Sequence, residues 1–460
     1  MGERLVVIGG DAAGMSAASQ ARRRRGADDL EIIAFERGQF TSYSACGIPY
    51  WLGDIVHDRD DLVARTPEEH RKRYEIDVRL GSEVTTVDLD RRRVEVRDRG
   101  EERTYWEGFD QLLIATGAVP VRPPVPGADG EGIYGLQTLE HGELIARALA
   151  EPEPKQAVVV GGGYIGLEMA EALVLRGLEV TLVEQGSQPM RTLDPDMGAL
   201  VADALASIGV ELHLEEAAEG FELGRDGRVR AVVTSNGDLP ADIVVLGLGV
   251  RPDVDLAHEA GLKIGDADGI VVDRRMRTNA EGAWAAGDCT EKFHRVARRS
   301  VAIPLGTHAN KQGRIAGINI GGGYATFPGI VGTAASKICD VEVARTGLTE
   351  AEAEETGFRY VTETIESTTR AGYYPGASSL TVKVVAEKRS GALLGAQIVG
   401  REGAAKRIDV FAAALWNDMT LDDLLNVDLS YAPPFAPVWD PVLIAARKAW
   451  QAVEATIDEC

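Results

Sequence analysis

Ala157-Val158-Val159-Val160-Gly161-Gly162-Gly163-Tyr164-Ile165-Gly166 is the stretch on which the fold turns. An unbroken apolar run suits a strand covered on both faces, and the glycines after it supply a tight turn into a helix, read from Leu167 to Arg176. Glu179 to Glu184 reads as a second strand, which places Glu184 18 residues beyond Gly166. Strand, glycine turn, helix and acid at this spacing make a dinucleotide-binding unit. The turn brings backbone N–H groups and a helix N-terminus against a pyrophosphate, and the acid can bond ribose hydroxyls.

The unit occurs twice. Leu5 to Ile8, the loop Gly9-Gly10-Asp11-Ala12-Ala13-Gly14, a helix from Met15 to Arg25 and a strand from Glu31 to Glu36 repeat it, with Glu36 22 residues beyond Gly14. One position departs from G-x-G-x-x-G: Asp11 replaces the middle glycine and puts a carboxylate near a phosphate unless its side chain turns away. Two such units imply two dinucleotides, or two halves of one enzyme that bring them together.

Further signals fill the spaces between and beyond the units. Asp110 to Gly117 reads as a strand ending in Ala115-Thr116-Gly117, and Pro120, Pro123, Pro124 and Pro126 mark a connector. Ile243 to Leu248 is another strand, closing near Gly249; Thr278 to Asp288 holds a short strand ending in Gly287-Asp288, ahead of a helix from about Pro304 to Ile318. Gly321, Gly322 and Gly323 read as a hinge. Beyond them, strands at Ser379 to Ala386 and Leu393 to Val399 accompany helices at Ala404 to Asn417 and Leu421 to Asn426. The expected fold class is α/β, with two Rossmann-like dinucleotide-binding domains and a C-terminal α+β domain. Residues 1–120 and 251–323 would form the first domain, 121–250 the second and 324–460 the third.

The totals narrow the function. A chain of 460 residues, 45% hydrophobic and 26% charged, has material for an ample core and about three domains. Its 49 basic and 72 acidic residues sum to −23, a surface that repels nucleic acid and anionic membranes. No apolar run approaches the length that spans a bilayer, and Glu3 and Arg4 lead directly into a strand with no secretory signal, so the expected compartment is cytoplasmic. Cys46, Cys289, Cys339 and Cys460 lie far apart and form no C-x-x-C, while His294 and His308 lack ligand spacing; no metal and no structural disulfide is expected.

That leaves Thr41-Ser42-Tyr43-Ser44-Ala45-Cys46-Gly47-Ile48-Pro49-Tyr50 as the place for chemistry. A lone cysteine is most often a small buried apolar residue. Here, however, it lies just downstream of a nucleotide loop and opens a helix read from Cys46 to Leu52, whose dipole would favour the thiolate.

Taken together, the two loops, Ala115-Thr116-Gly117 and Ala286-Gly287-Asp288 resemble the pyridine nucleotide-disulfide oxidoreductase family nearly end to end. The resemblance implies FAD in the first unit, held by Gly9, Gly10, Ala13, Gly14, Glu36, Val84, Thr116, Gly117, Asp288 and Pro304. It implies the nicotinamide dinucleotide in the second, held by Gly161, Gly163, Ile165, Gly166, Glu184 and Gly249, and a homodimer built by the last domain. A carboxylate such as Glu184 favours NADH; Gln188 and Arg191 nearby leave NADPH open.

Thr41 stands where paired-cysteine members carry a second cysteine, so the chain is similar to the single-cysteine branch. Its S-x-x-x-C-G-x-P-Y pattern is closest to the coenzyme A disulfide reductases. By that resemblance Cys46 is the redox centre and forms a mixed disulfide with substrate. Tyr431 and Tyr373 would reach it from the partner subunit, Tyr431 to protonate the departing sulfur, and Ser16, Arg23, Ser42, Ala45 and Lys72 would contact coenzyme A. Ala45 replaces the branch's asparagine, which leaves the physiological disulfide or persulfide open. Two other readings stay open: an NADH oxidase or peroxidase cycling through a sulfenic acid, and a redox-sensing flavoprotein.

Overall fold

The computed structural model describes residues 2–150 and 154–458; Cys460 lies outside them. Two five-stranded parallel sheets carry the two units. The first has the spatial order Ala283–Ala285, Gln111–Ile114, Glu3–Ile8, Leu30–Phe35, Ile76–Arg79. The second runs Glu211–Leu214, Glu179–Glu184, Gln156–Val160, Ile243–Leu246, Ile133–Gly135. Leu5, Val6, Val7, Val159 and Val245 have no exposed surface, as strands sandwiched between layers require. Each such side chain contributes about 1.5–3 kcal/mol of burial.

In both sheets the order reverses beside the first strand of the unit, and the glycine loops lie at that switch point, outside the strand ends, where ligands bind in open α/β sheets. The antiparallel pairing of Ala118–Pro120 with Val250–Pro252 ties the two halves together. The C-terminal domain is an antiparallel sheet ordered Ala334–Ile338, Val341–Gly347, Leu393–Gly400, Ser379–Glu387, Tyr360–Thr368. Helices Ala404–Trp416 and Pro441–Asp458 accompany it. Among the described residues no helix is long and apolar enough to cross a membrane.

The helices of the two units begin earlier than the sequence suggests, at Ala12–Arg22 and Tyr164–Leu175. The last residues of each loop already form the first turn: Met15 N–H donates to Asp11 O and Leu167 N–H to Gly163 O. The helix expected from Pro304 runs instead over Gly306–Ile320, because Leu305 is extended and acts as its N-cap. The glycines expected as a hinge close this helix. Gly321 and Gly323 lie against Arg24, where a Cβ would collide, and Phe327 and Ile330 still pack in the core of the first sheet.

Candidate active site

Both glycine loops are built alike. Gly9 (φ +106°) and Gly161 (φ +103°) need the conformation that L side chains rarely adopt. A Cβ on Gly14 would lie 1.9 Å from Gly9 O, and one on Gly166 2.0 Å from Gly161 O, so helix and strand approach as closely as backbone allows. The acids match too. Glu36 accepts from Gly10 N–H (2.8 Å) and Gly38 N–H (2.7 Å), and Glu184 from Gly162 N–H (2.8 Å) and Gly186 N–H (2.7 Å).

The loops open on one cavity of about 1110 Å³. Of the residues singled out in the sequence, Gly9, Glu36, Val84, Thr116, Gly117, Asp288 and Pro304 line it from the first domain, and Gly161, Gly163, Ile165, Glu184 and Gly249 from the second. Cys46 and Ala45 face the same space; Gly10, Ala13, Gly14 and Gly166 form the loops behind the wall. Asp288 Oδ1 is buried without a hydrogen-bond partner, an acceptor that a ribityl hydroxyl would satisfy. Around it, Gly287 N–H and Thr290 Oγ1 donate to Gln312 Oε1, and Lys292 Nζ donates to Gly287 O and Thr290 O. Paired loops, free acceptor and a cavity of this size fit FAD together with a nicotinamide dinucleotide.

Asp11 lines the cavity beside the first glycine loop. Its Oδ1 accepts from Tyr43 N–H at 3.2 Å and so ties the nucleotide loop to the cysteine loop; burial raises its pKa to about 7. Thr41 Oγ1 bonds Gly10 O and Ser42 N–H donates to the same carbonyl, which adds two further ties.

Cys46 itself departs from the expectation. The helix read from Cys46 to Leu52 is a single 3-10 turn, Ala45–Gly47, followed by a five-residue helix, Ile48–Leu52, so the cysteine does not cap a helix of useful dipole. Its thiol is pushed up, by burial first and then by the charges of Glu168 and Asp288. Although the residue is exposed, the space it faces is the cavity rather than bulk water.

The sequence did not single out Glu168. It stands on the helix of the second loop, lines the cavity, and accepts from Ser336 Oγ of the C-terminal domain at 2.9 Å. The signal was its place in Tyr164-Ile165-Gly166-Leu167-Glu168, an acid one turn into the helix that follows the glycines.

Other selected residues lie elsewhere. Ser16 bonds Asn310, a wall residue, at 2.7 Å. Ser42, at φ +52°, sends its hydroxyl to the buried His70 Nε2 at 2.9 Å and does not line the cavity. Arg23 is exposed at the end of its helix and Lys72 pairs with Glu68 at 3.6 Å in solvent. Tyr373 and Tyr431 lie on the C-terminal domain and are 78% and 47% exposed, away from the cavity of their own chain. Cys289 is buried, with Sγ against Ile114 O and Ala286 O, and Cys339 sits in a turn beside Glu171. Among the described residues no group of side chains is arranged to hold a metal ion.

Residues 3–313 match the family model of pyridine nucleotide-disulphide oxidoreductases, and 333–441 match the dimerisation domain of the same enzymes. The chain belongs to this family. Its dinucleotides are therefore FAD and NAD(P)H, and its C-terminal domain makes a homodimer. It is 39% identical, over 96% of its length and 97% of the relative's, to an "NAD(P)H sulfur oxidoreductase (CoA-dependent)" of Pyrococcus abyssi. It is 36% identical, over 97% of its length and 98% of the relative's, to an "NADH oxidase" of Methanocaldococcus jannaschii. A solved NAD-dependent persulfide reductase from A. fulgidus superposes with a TM-score of 0.94 at 40% identity, covering 98% of this chain and 84% of that one.

Proposed function

We propose that this flavoenzyme uses NAD(P)H to reduce coenzyme A disulfide, or a coenzyme A persulfide or polysulfide, through Cys46. One observation carries the reading: among the described residues Cys46 alone of the cysteines faces the cavity that both nucleotide loops line, while Cys289 is buried and Cys339 stands in a turn outside the lining. With no second thiol on the cavity wall among the described residues, Cys46 takes its disulfide partner from the substrate. The names of the relatives, CoA-dependent sulfur oxidoreductase and persulfide reductase, support that substrate class.

FAD, when bound, supplies an electron pair received from the nicotinamide. The two glycine loops hold the dinucleotides, Asp288 holds the ribityl chain, and Glu36 and Glu184 stand at the two riboses. Ala118–Pro120 paired with Val250–Pro252 marks the passage between the domains proposed at 1–120, 121–250, 251–323 and 324–460. Cys46 attacks the substrate sulfur as its thiolate. The exposed Tyr373 and Tyr431 lie on the domain that dimerises and reach the partner's Cys46, where Tyr431 bonds the departing sulfur. Ser16, Ala45 and Asn310 form the near edge of the thiol site. Arg23 and Lys72 give the coenzyme phosphates a basic approach in an otherwise acidic surface, and Ser42 holds the cysteine loop.

Cys46→Ser tests the assignment: disulfide reduction is abolished, while anaerobic bleaching of the flavin by NADH survives. Undiminished turnover of coenzyme A disulfide refutes it. Mass spectrometry of the wild-type protein separates the substrate classes, because a coenzyme A adduct on Cys46 marks the reductase and an adduct-free oxidised sulfur marks an oxidase.

A further inference from the structure

The turn that carries Asp288 is held on three sides. Gly287, at φ +93°, is pressed against the first nucleotide loop, where a Cβ on it would lie 2.8 Å from Ala13 Cβ. Its N–H donates at 3.0 Å to Oε1 of Gln312, a fully buried residue of the helix Gly306–Ile320. Its carbonyl accepts from Thr290 N–H at 3.1 Å and Thr290 Oγ1 at 2.9 Å, which closes the turn from Gly287 to Thr290. Lys292 holds the third side. From the strand Lys292–His294, its Nζ donates to Gly287 O at 3.1 Å and to Thr290 O at 2.9 Å, so one ammonium ties the first carbonyl of the turn to the last.

This lysine is 2% exposed and both of its bonds go to backbone carbonyls; among the described residues it makes no ion pair. A buried ammonium without a paired carboxylate is costly, and an apolar side chain of similar length would pack there without that cost. The charge acts on its neighbour in the turn. Asp288 lines the cavity, and its Oδ1 is buried with no hydrogen-bond partner. Burial pushes the Asp288 carboxyl up, and Lys292 is the foremost group drawing it back toward the carboxylate form.

We propose that Lys292 is a positioning residue of the flavin site: it fixes the turn from Gly287 to Thr290 from behind and so presents Asp288 as an ionised acceptor to a ribityl hydroxyl. A carboxylate only accepts, so a hydroxyl that donates to it gains a charge-assisted bond, about twice as strong as a neutral one. The inference rests on Asp288 holding the ribityl chain and is independent of the role given to Cys46.

The test is the rate at which diluted holoenzyme releases flavin, followed by the gain in flavin fluorescence; it needs neither substrate nor turnover. Lys292→Met keeps the length of the side chain and removes the ammonium. Release quickens about ten- to hundredfold, the range for losing a hydrogen bond to a charged group. Asp288→Asn quickens release by a similar factor, and adding Lys292→Met to it changes the rate less than about twofold, because the lysine acts through the carboxylate. Hydrogen exchange of the holoenzymes locates the change: the amides of residues 287–290 lose protection in Lys292→Met, while those of the second glycine loop, 161–166, keep it. Where the methionine chain does not accumulate folded, Lys292→Gln, a neutral donor, takes its place, with release about tenfold faster. A wild-type release rate in either folded variant overturns the proposal. So do additive effects of Lys292→Met and Asp288→Asn, which would mark a general loosening of the fold. An Asp288→Asn chain that holds flavin as wild type does refutes the ribityl assignment, and the inference falls with it; quickened release in Asp288→Asn alone refutes only the role of Lys292.

Discussion

Replacing Lys383 with methionine should loosen the nicotinamide site without touching it. Lys383, on Ser379–Glu387, has a side chain only 6% exposed; its Nζ lies 2.7 Å from Asp196, 2.5 Å from Glu350 and 3.4 Å from Asp194. Burial acts against the ammonium, but hydrogen bonds to Asp196 and Glu350 and the charge of Asp194 outweigh it and hold the pKa above the ordinary lysine value. Asp194 is the deepest of the acids, 2% exposed, and burial pushes its own pKa up despite the lysine. It also trades bonds with Gln397, at 2.7 and 2.6 Å, and accepts from Glu350 N–H. Arg345 Nη1 donates to Thr192 O, so the segment Met190–Thr192 along the cavity is pinned to the C-terminal domain from two sides.

Methionine fills the lysine's volume but leaves the acids without their cation. Asp196 and Glu350 are partly exposed and recover water, whereas Asp194 must stay charged and unpaired or take a proton. Removing one partner of a buried pair costs about 3–5 kcal/mol. Protonating an aspartate of ordinary pKa at pH 7 costs about 4 kcal/mol, which caps the loss near the same figure. The expected result is a lower midpoint of urea unfolding and a raised KM for NADH, with kcat retained. Asp194→Asn in the same chain should return most of the lost stability, since the two changes act on one pair. An unchanged midpoint in Lys383→Met, or no recovery in the double variant, refutes the reasoning.

Glu184→Ala removes the acceptor for two loop N–H groups and the carboxylate at the second ribose. The ratio of kcat/KM for NADH over NADPH should fall at least about tenfold; an unchanged ratio removes Glu184 from cofactor choice. His294 is buried, accepts Ala297 N–H at Nδ1, and is held neutral, its pKa lowered by burial to about 4. A histidine whose folded pKa lies below its unfolded value of about 6.5 stabilises fully above that value and loses the contribution as pH falls toward 4. At about 1.4 kcal/mol per pH unit, wild type should lose about 2 kcal/mol from this group between pH 6.5 and 5. His294→Gln should flatten that slope in urea melts, and equal slopes in the two proteins would reject it.

Much of the architecture was legible because its signals are local. A βαβ unit is written in one continuous stretch: an apolar run, glycines where the backbone must turn left-handed or admit a neighbouring carbonyl, and an acid at the end of the next strand. Gly14 and Gly166 illustrate this, since a Cβ at either would strike the carbonyl of the glycine that opens its own loop. Boundaries were less legible. The helices start inside the loops through bonds from Met15 and Leu167, and apolar periodicity cannot register bonds made by glycine and aspartate carbonyls.

The sequence by itself determined the two dinucleotide units, the single cysteine without a neighbour and the family to which these belong, because each rests on residue types at short, fixed spacing. Tertiary structure alone decided the electrostatics around Cys46. Asp11, Glu168 and Asp288 reach its cavity from three separate segments, and the helix expected to favour the thiolate is too short to do so. A pKa is set by what is near in space and by how much water is excluded, and neither quantity has a period along the chain.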